Sequence, residues 1–399
     1  MFFEKFGNSD VKKFINDNLN SDIARLILKG SPFKNITIQE LVKQIEAKKK
    51  SKLKLPNWFN NDEIIYPEKL SIEQTSSEIT AEFKASLFSG TNAIDLTGGF
   101  GVDTYYFSEN FKNFTHCEYN TQLSEIVKHN FSVFNKKNVE FVSGDGIEYL
   151  KSTNTKYDLI YLDPARRSEI KGKVFLLADT QPNPVDNLEL FFSKSDRILI
   201  KVSPLLDLKN TVNELKNVKN IYVVSLNNEV KELLFHLEKN YDSQITVQSV
   251  DLFSSKKTNI HKFSLDDPNF KSNYSKPEKY LFEPSASIMK TGAFNQISNK
   301  FDLLKIAQHS HLYTSDTLID DFPGRAFEII ATSKANKKEI SSILKNGKAN
   351  ISVRNYPLGV AEIRKKFKLK DGGDDYLFFT TDSKKHSLVI YCRKILHTN

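Results

Sequence analysis

DLTGGFGVDT, residues 95–104, packs Gly98, Gly99 and Gly101 into four positions of a 399-residue chain that has only 15 glycines. It begins at the end of an apolar, β-branched run, TNAIDL (91–96), and leads into a stretch of helical spacing. The segment therefore reads as the turn from a first strand into a first helix. Missing side chains at such a turn let a ligand approach the backbone just ahead of a helix N-terminus. Two carboxylates, Asp95 and Asp103, flank the bend.

Further strand candidates follow: FTHCEY (114–119), VEFVS (139–143), YDLIYL (157–162), RILIKV (197–202), NIYVVSL (220–226) and QITVQSV (244–250). The amphipathic stretches TQLSEIVKHNFSVF and NEVKELLFHLEKN between them read as helices. Seven strands interleaved with helices predict an α/β domain over 71–265, Rossmann-like, with a parallel-dominated sheet covered on both faces. Residues 1–70 read as an N-terminal helical segment. SDVKKFINDNL, SDIARLILKG and ITIQELVKQIEAKKK carry apolar residues at helical spacing, two of them behind a Ser-Asp capping signal. KKKSKLKLPNWF reads as a basic connection, a solvated charge run beside an anchoring aromatic, Trp58. Past the polar stretch 254–279 the composition changes at YLFEPSASIMKTGAF. AFEIIATS, ANISVRNY, DYLFFTTD and HSLVIYCRKI read as strands and LGVAEIRKKFKL as a helix, which makes a C-terminal α+β module.

The chain carries 57 Lys plus Arg against 49 Asp plus Glu, a net charge of +8. That balance is compatible with an anionic partner and equally with a Lys-, Asn- and Ile-rich composition. Two cysteines, Cys117 and Cys392, each inside an apolar run, exclude a disulfide framework and a Cys-rich zinc site. Eight histidines lie scattered without metal-ligand spacing, so no metal is expected. With no leader-like N-terminus and no apolar run near the ~20 residues of a membrane span, a cytoplasmic protein without membrane contact is expected.

The spacing Asp95-x-Thr97-x-Gly99-x-Gly101 is not the G-x-G-x-x-G of a dinucleotide site. It resembles the first motif of class I S-adenosylmethionine-dependent methyltransferases. Asp95 at the strand tip would repel a pyrophosphate, whereas the methyl donor offers a cationic amino group and a sulfonium that a carboxylate attracts. The expected donor contacts here are Asp95, Thr97, Gly98, Gly99, Phe100, Gly101 and Asp103. Glu118 ends the second strand, where an acidic side chain accepts both ribose hydroxyls. Asp145, with Gly146, follows the third strand and is placed for the exocyclic amine of adenine. At the fourth, YDLIYLDPARR (157–167) resembles the [D/N]-P-P-[Y/F/W] of enzymes that methylate base amino groups. Asp163 and Pro164 match and are the expected catalytic pair. Ala165 and Arg166 depart from the pattern, so no stacking aromatic follows and the target atom stays open.

DPARR and DLTGGFG, with EQTSSE (73–78), KVSPLLDL (201–208) and RNYPLGVAEIRKKFKLKDGGDDYLFFTT (354–381), together resemble a bacterial family of methyltransferases with a C-terminal THUMP-like domain. The resemblance spans most of the chain from about residue 65 onward. It implies a seven-stranded class I methyltransferase domain, a small ferredoxin-like module at 280–324, a THUMP-like domain at 325–399, and methylation of RNA, a tRNA or rRNA base. Arg166 and Arg167 then read as nucleic-acid contacts, against a local ion pair with Glu169. Gln74, Ser76 and Ser77 read as substrate contacts folding over the donor, or as a helix cap. Arg354, Arg364, Lys365, Lys366, Lys368 and Lys370, interleaved with Tyr356 and Phe367, read as a phosphate-tracking face or as a solvated helix over a core. Two rivals stay open: an RNA-binding protein without catalysis, and a nicotinamide-dependent oxidoreductase.

Overall fold

The computed structural model describes residues 2–166, 176–267, 269–344 and 347–395. The chain forms two compact units, Met1–Ile221 with Glu232–Ser243, and Tyr222–Lys231 with Gln244–Asn399. In the first unit, β1 (Gly90–Asp95), β2 (Phe111–Glu118), β3 (Val139–Ser143), β4 (Leu159–Leu162) and β5 (Arg197–Val202) run parallel in the order β3-β2-β1-β4-β5. All four residues of β4 are buried, as the period-free apolar run of a central strand requires.

The stretch NEVKELLFHLEKN is a strand, not the expected helix. β6 (Val218–Leu226) turns through Asn227 and Asn228, at φ 50° and 66°, into β7 (Glu229–Glu238). Two adjacent positive-φ asparagines make the kind of turn whose twist matches a hairpin. β7 then pairs antiparallel with β5, Leu199 opposite His236 and Ile200 opposite Phe235. Its residues Glu232 to Leu237 are all buried. Val230, Leu233, Leu234 and Leu237 happen to satisfy helical spacing, but a strand covered on both faces accepts the same pattern. Seven strands of a nine-stranded sheet thus take the order β3-β2-β1-β4-β5-β7-β6, the Rossmann-like arrangement expected, with the seventh strand supplied by 229–238. QITVQSV instead contributes to β8 (Thr246–Leu252), which pairs antiparallel with β9 (Thr258–Ser264) in the second unit.

The helices that position the site are α1 (Ile38–Lys54), α2 (Glu78–Ser86), α3 (Val102–Phe107), α4 (Thr121–Val133) and α5 (Gly146–Ser152). Shorter helices precede α1; Asn8 and Asp22 cap two of them, so the first cap falls one residue ahead of the Ser-Asp signal. A capping box of Thr37 and Glu40 starts α1. The lysines of KKKSKLK form the last turns of α1 and are partly engaged: Lys48 is buried and pairs with Asp62, and Lys54 donates to the Ile72 and Glu73 carbonyls. Trp58 does anchor. It is fully buried, its ring 4.9 Å from those of Tyr105 and Phe134.

In the second unit, seven strands form one sheet: β10 (Tyr280–Pro284), β11 (Leu304–Lys305), β12 (Tyr313–Ser315), β13 (Gly324–Ser333), β14 (Asn350–Val353), β15 (Asp375–Thr381) and β16 (Ser387–Lys394). Their order is β11-β12-β10-β13-β16-β15-β14, and of its neighbouring pairs β14–β15 is parallel and the others antiparallel. Between that pair runs α6 (Val360–Phe367), which buries Ile363 and Phe367 against Leu377, Phe379 and Val389. Cys117 and Cys392 are free and buried, and burial pushes both thiols up. Among the described residues no helix is long and apolar enough to cross a membrane, and no cluster of three or more His, Cys, Asp or Glu could hold a metal.

Candidate active site

The glycines of the turn answer to different needs. A Cβ on Gly98 would lie 2.2 Å from Nε2 of His116, and one on Gly101, at φ +76°, 2.7 Å from Val127 of α4. Those two are dictated by the protein's own packing. Gly99, at φ +53°, has only the Thr97 carbonyl near its Cβ direction, at 3.9 Å, so it is the glycine that leaves open space. Hydrogen bonds fix the bend: Gly98 N–H donates to the Cys117 carbonyl at 2.7 Å and Gly101 N–H to the Gly98 carbonyl at 2.9 Å. His116, fully buried beneath the turn, has its pKa pushed down to about 4, chiefly by burial, and is neutral there. Gly146 repeats the first pattern, since a Cβ would meet the Leu96 carbonyl at 2.5 Å.

Asp95 does not line the opening. It is 1% exposed, and its carboxylate accepts from Thr97 N–H at 2.9 Å, Thr97 Oγ1 at 3.3 Å and Thr104 Oγ1 at 3.0 Å. The carboxylate expected to attract a cationic ligand thus holds the turn in shape from inside. Burial, with repulsion from Asp103 and Asp163, raises its pKa from 3.8 to about 7. Between those values the folded protein keeps a proton that the unfolded chain has released, so this group's contribution to stability falls as pH rises from about 4 to about 7. Asp95→Asn removes that dependence. Melting curves across pH 4–8 are expected to show the variant gaining on the wild type as pH rises; parallel curves would contradict the assignment.

Asp103 belongs to a buried ionic cluster. Its carboxylate accepts from Ser76 Oγ at 2.9 Å and Tyr161 Oη at 2.6 Å, and pairs with Lys84 at 3.1 Å. Lys84, fully buried on α2, also reaches both oxygens of Glu232 on β7 at 2.8 Å and Ser76 Oγ at 2.8 Å. At the tips of β4 and β5, Lys201 pairs with Asp163, whose N–H donates to Thr97 Oγ1 at 2.6 Å. Burial raises the Asp103 carboxyl, but Lys84 and Lys201 more than offset it; for Glu232 burial prevails and the carboxyl stays raised. Ser76 is thus buried and doubly engaged inside the protein, which corrects its reading as a substrate contact, and Ser77 caps α2 through Thr80 N–H. Gln74 lies exposed at the end of helix Lys69–Gln74.

Glu118 stands at the β2 tip with its carboxylate aimed by two backbone donors, Gly99 N–H and Asn120 N–H, each at 2.8 Å. Asp145 caps α5, accepting from Ile147 N–H at 2.7 Å and Glu148 N–H at 3.3 Å, and remains exposed. Phe100 is 3% exposed and packs 6.2 Å from the ring of Tyr66, so it is a core residue and not a lining one. Pro164 is buried, Ala165 exposed, and the backbone of Ala165–Arg166 pairs with Thr180–Gln181. Arg167 lies outside the described residues.

In the second unit, Arg354 pairs at 3.0 Å with Glu283, a buried carboxylate that Arg325 and Ser352 also engage. Arg364 pairs with Asp371. Neither guanidinium is the free charge expected of a phosphate contact. Lys365, Lys366, Lys368 and Lys370 are exposed, whereas Tyr356 and Phe367 turn inward, each 5.6 Å from the ring of Phe379. The residues that sequence reasoning missed are Lys84, Lys201, Glu232, Tyr161 and His116. Their shared signal is an ionisable or polar group set within an apolar run, where burial demands a partner.

Comparison with known proteins agrees with this geometry. Residues 90–247 match the family model of RNA cap guanine-N2 methyltransferase, 280–323 a ferredoxin-like domain and 324–394 a THUMP domain-like family. A crystal structure of a "putative methyltransferase" from Porphyromonas gingivalis superposes with a TM-score of 0.88 at 28% identity, covering 98% of this chain and 99% of that one. An uncharacterized RNA methyltransferase of Mycoplasma mobile is 35% identical over 96 residues, 24% of this chain and 26% of that protein. The ribosomal RNA large subunit methyltransferase K/L of Buchnera aphidicola is 30% identical over 162 residues, 40% of this chain and 22% of that protein. The chain spans about a quarter of the length of these curated relatives. Its first unit has the class I methyltransferase fold. In chain order it carries segments similar to an RNA methyltransferase, a ferredoxin-like domain and a THUMP domain-like family.

Proposed function

We propose that the protein is an S-adenosylmethionine-dependent RNA methyltransferase. The observation that carries this reading is the way one turn is tied to both neighbouring strand tips: Gly99 N–H to Glu118 on β2, and Thr97 Oγ1 to Asp163 after β4. The open space at Gly99 and the pre-aimed carboxylate of Glu118 fit a nucleoside-bearing donor, with Asp145 and Gly146 on the β3 side. Bound there, the donor supplies an electrophilic methyl group on a sulfonium. Transfer needs an in-line lone pair and little else, so orientation and exclusion of water supply much of the rate. Asp163 accepts a hydrogen bond from the acceptor amine and aims its lone pair, while Pro164 keeps the strand end rigid. The RNA acceptor, a tRNA or rRNA base, is supported by the RNA-methyltransferase family model and by the RNA methyltransferases among the relatives. Two buried, free thiols suit a reducing, cytoplasmic setting.

Calorimetry with S-adenosylmethionine and with NAD, followed by tritiated methyl transfer to RNA from a deletion strain, tests this. Donor binding and label in one RNA pool are expected; NAD binding without donor binding would overturn the reading. The exposed lysines of α6 and its C-terminal flank would track phosphates. Reversing Lys365, Lys366, Lys368 and Lys370 to glutamate is expected to weaken RNA binding about ten-fold or more and to flatten its salt dependence. An unchanged salt slope would leave that face a solvated surface only.

A further inference from the structure

The last residue but one of strand β5 is Lys201, which no step of the chemistry requires by itself. The parallel pairing of β4 and β5 sets Leu162 against Ile200, so Asp163 and Lys201 follow side by side. The Lys201 ammonium is ion-paired with Asp163 Oδ2, and Thr97 holds the Asp163 backbone from the other side. Among the described residues, the other charged groups that act on this pair belong to one cluster. Glu232 comes from β7 and Asp103 from α3, both within the field of Lys201, and Lys84 of α2 bridges the two. Asp95 of β1 repels Asp163, and Tyr161 of β4, donating to Asp103, is a neutral phenol.

Asp163 therefore sits in one cation's contact and among three other acidic groups. A carboxylate so placed would take up a proton readily if the cation were absent. Protonated, it would present a donor where an incoming amine needs an acceptor. Resting on the methyltransferase reading of this site, we propose that Lys201 is a positioning residue: it keeps Asp163 an ionised acceptor in a fixed direction, and Glu232 and Lys84 keep Lys201 in place. Lys201 is itself held protonated: burial opposes its charge, but Asp163, Glu232 and Asp103 prevail, raising its pKa.

The test compares Lys201→Gln, which loses the charge and keeps a hydrogen bond, with Lys201→Arg, which keeps the charge. The carbon-13 carboxyl resonance of Asp163, assigned by its loss in Asp163→Asn, is followed from pH 4 to 9 in the full chain. In Lys201→Gln its midpoint is expected to rise by about one pH unit or more. The kcat for methyl transfer should gain an acidic limb at the same midpoint, with the donor KM changed by less than about two-fold. Lys201→Arg should restore both. An unmoved midpoint overturns the proposal, and so does a pH-independent loss of kcat shared by both variants. Should Lys201→Gln fail to fold, Lys201→Met, of matching length, carries the same comparison. The carboxyl titration needs no RNA: a wild-type protein that transfers no methyl group would sink the methyltransferase reading, while the resonance would still decide for or against Lys201.

Discussion

Asp163→Ala is expected to lower kcat for methyl transfer by about 10²–10³, the range found when one group that stabilises a reacting centre is removed. Donor affinity should stay within about two-fold, because the Asp163 link to the turn runs through its backbone N–H and not through the carboxylate. The substitution also leaves the largely buried Lys201 ammonium without its carboxylate partner, so some loss of stability accompanies it. Asp163→Asn separates the two effects, since it keeps an acceptor oxygen and the volume. Retention of part of the activity by asparagine and its loss in alanine, with melting recorded for both, is the expected pattern. Full transfer by the alanine variant would move the reaction away from the β4 tip.

Gly98→Ala and Gly99→Ala, adjacent and chemically identical, are expected to differ in kind. At Gly98 a methyl group would stand 2.2 Å from His116 Nε2, and that ring is fully buried beneath the turn. Overpacking with no retreat costs about 3 kcal/mol or more, so this variant should melt early and lose donor binding only as a consequence. At Gly99 the space is open, and the backbone at φ +53° costs an alanine about 1 kcal/mol. Its methyl group would instead fill the cradle, and the expected signature is a near-native melt with donor affinity reduced about ten-fold or more. Thermal melts and calorimetry on both proteins decide it. Equal effects at the two positions would mean that the turn does not divide its labour as described.

The sheet was legible in the sequence wherever an apolar run was short and bounded, as in TNAIDL, VEFVS and RILIKV. It was misread at 229–238, where a strand buried on both faces carries Val230, Leu233, Leu234 and Leu237 in a helical rhythm. Only the paired asparagines before it signalled a hairpin. In the site, Glu118 and Asp163 fall at strand tips, where β-strand periodicity and the turn motif put them. Asp95 and Ser76 lie at the expected places in the chain but point inward, because a lone letter does not say which side of a strand tip its carboxylate or hydroxyl takes. Lys84, Lys201 and Glu232 come from α2, β5 and β7, and their meeting is a property of the folded sheet that no local window contains. The basic helix illustrates the reverse case: its Arg364 is spoken for by Asp371 and the preceding Arg354 by Glu283, while Lys365, Lys366, Lys368 and Lys370 remain outward.

Trp58 wedged between Tyr105 and Phe134 has a consequence for how the first unit comes apart. The indole belongs to the helical N-terminal stretch and Tyr105 to the helix that opens at the glycine bend, so loosening one must uncover the other. Hydrogen exchange should register the leading helices and α3 as a single cooperative block. A protease that clips the chain between α1 and β1 would then disable the glycine bend without ever touching it.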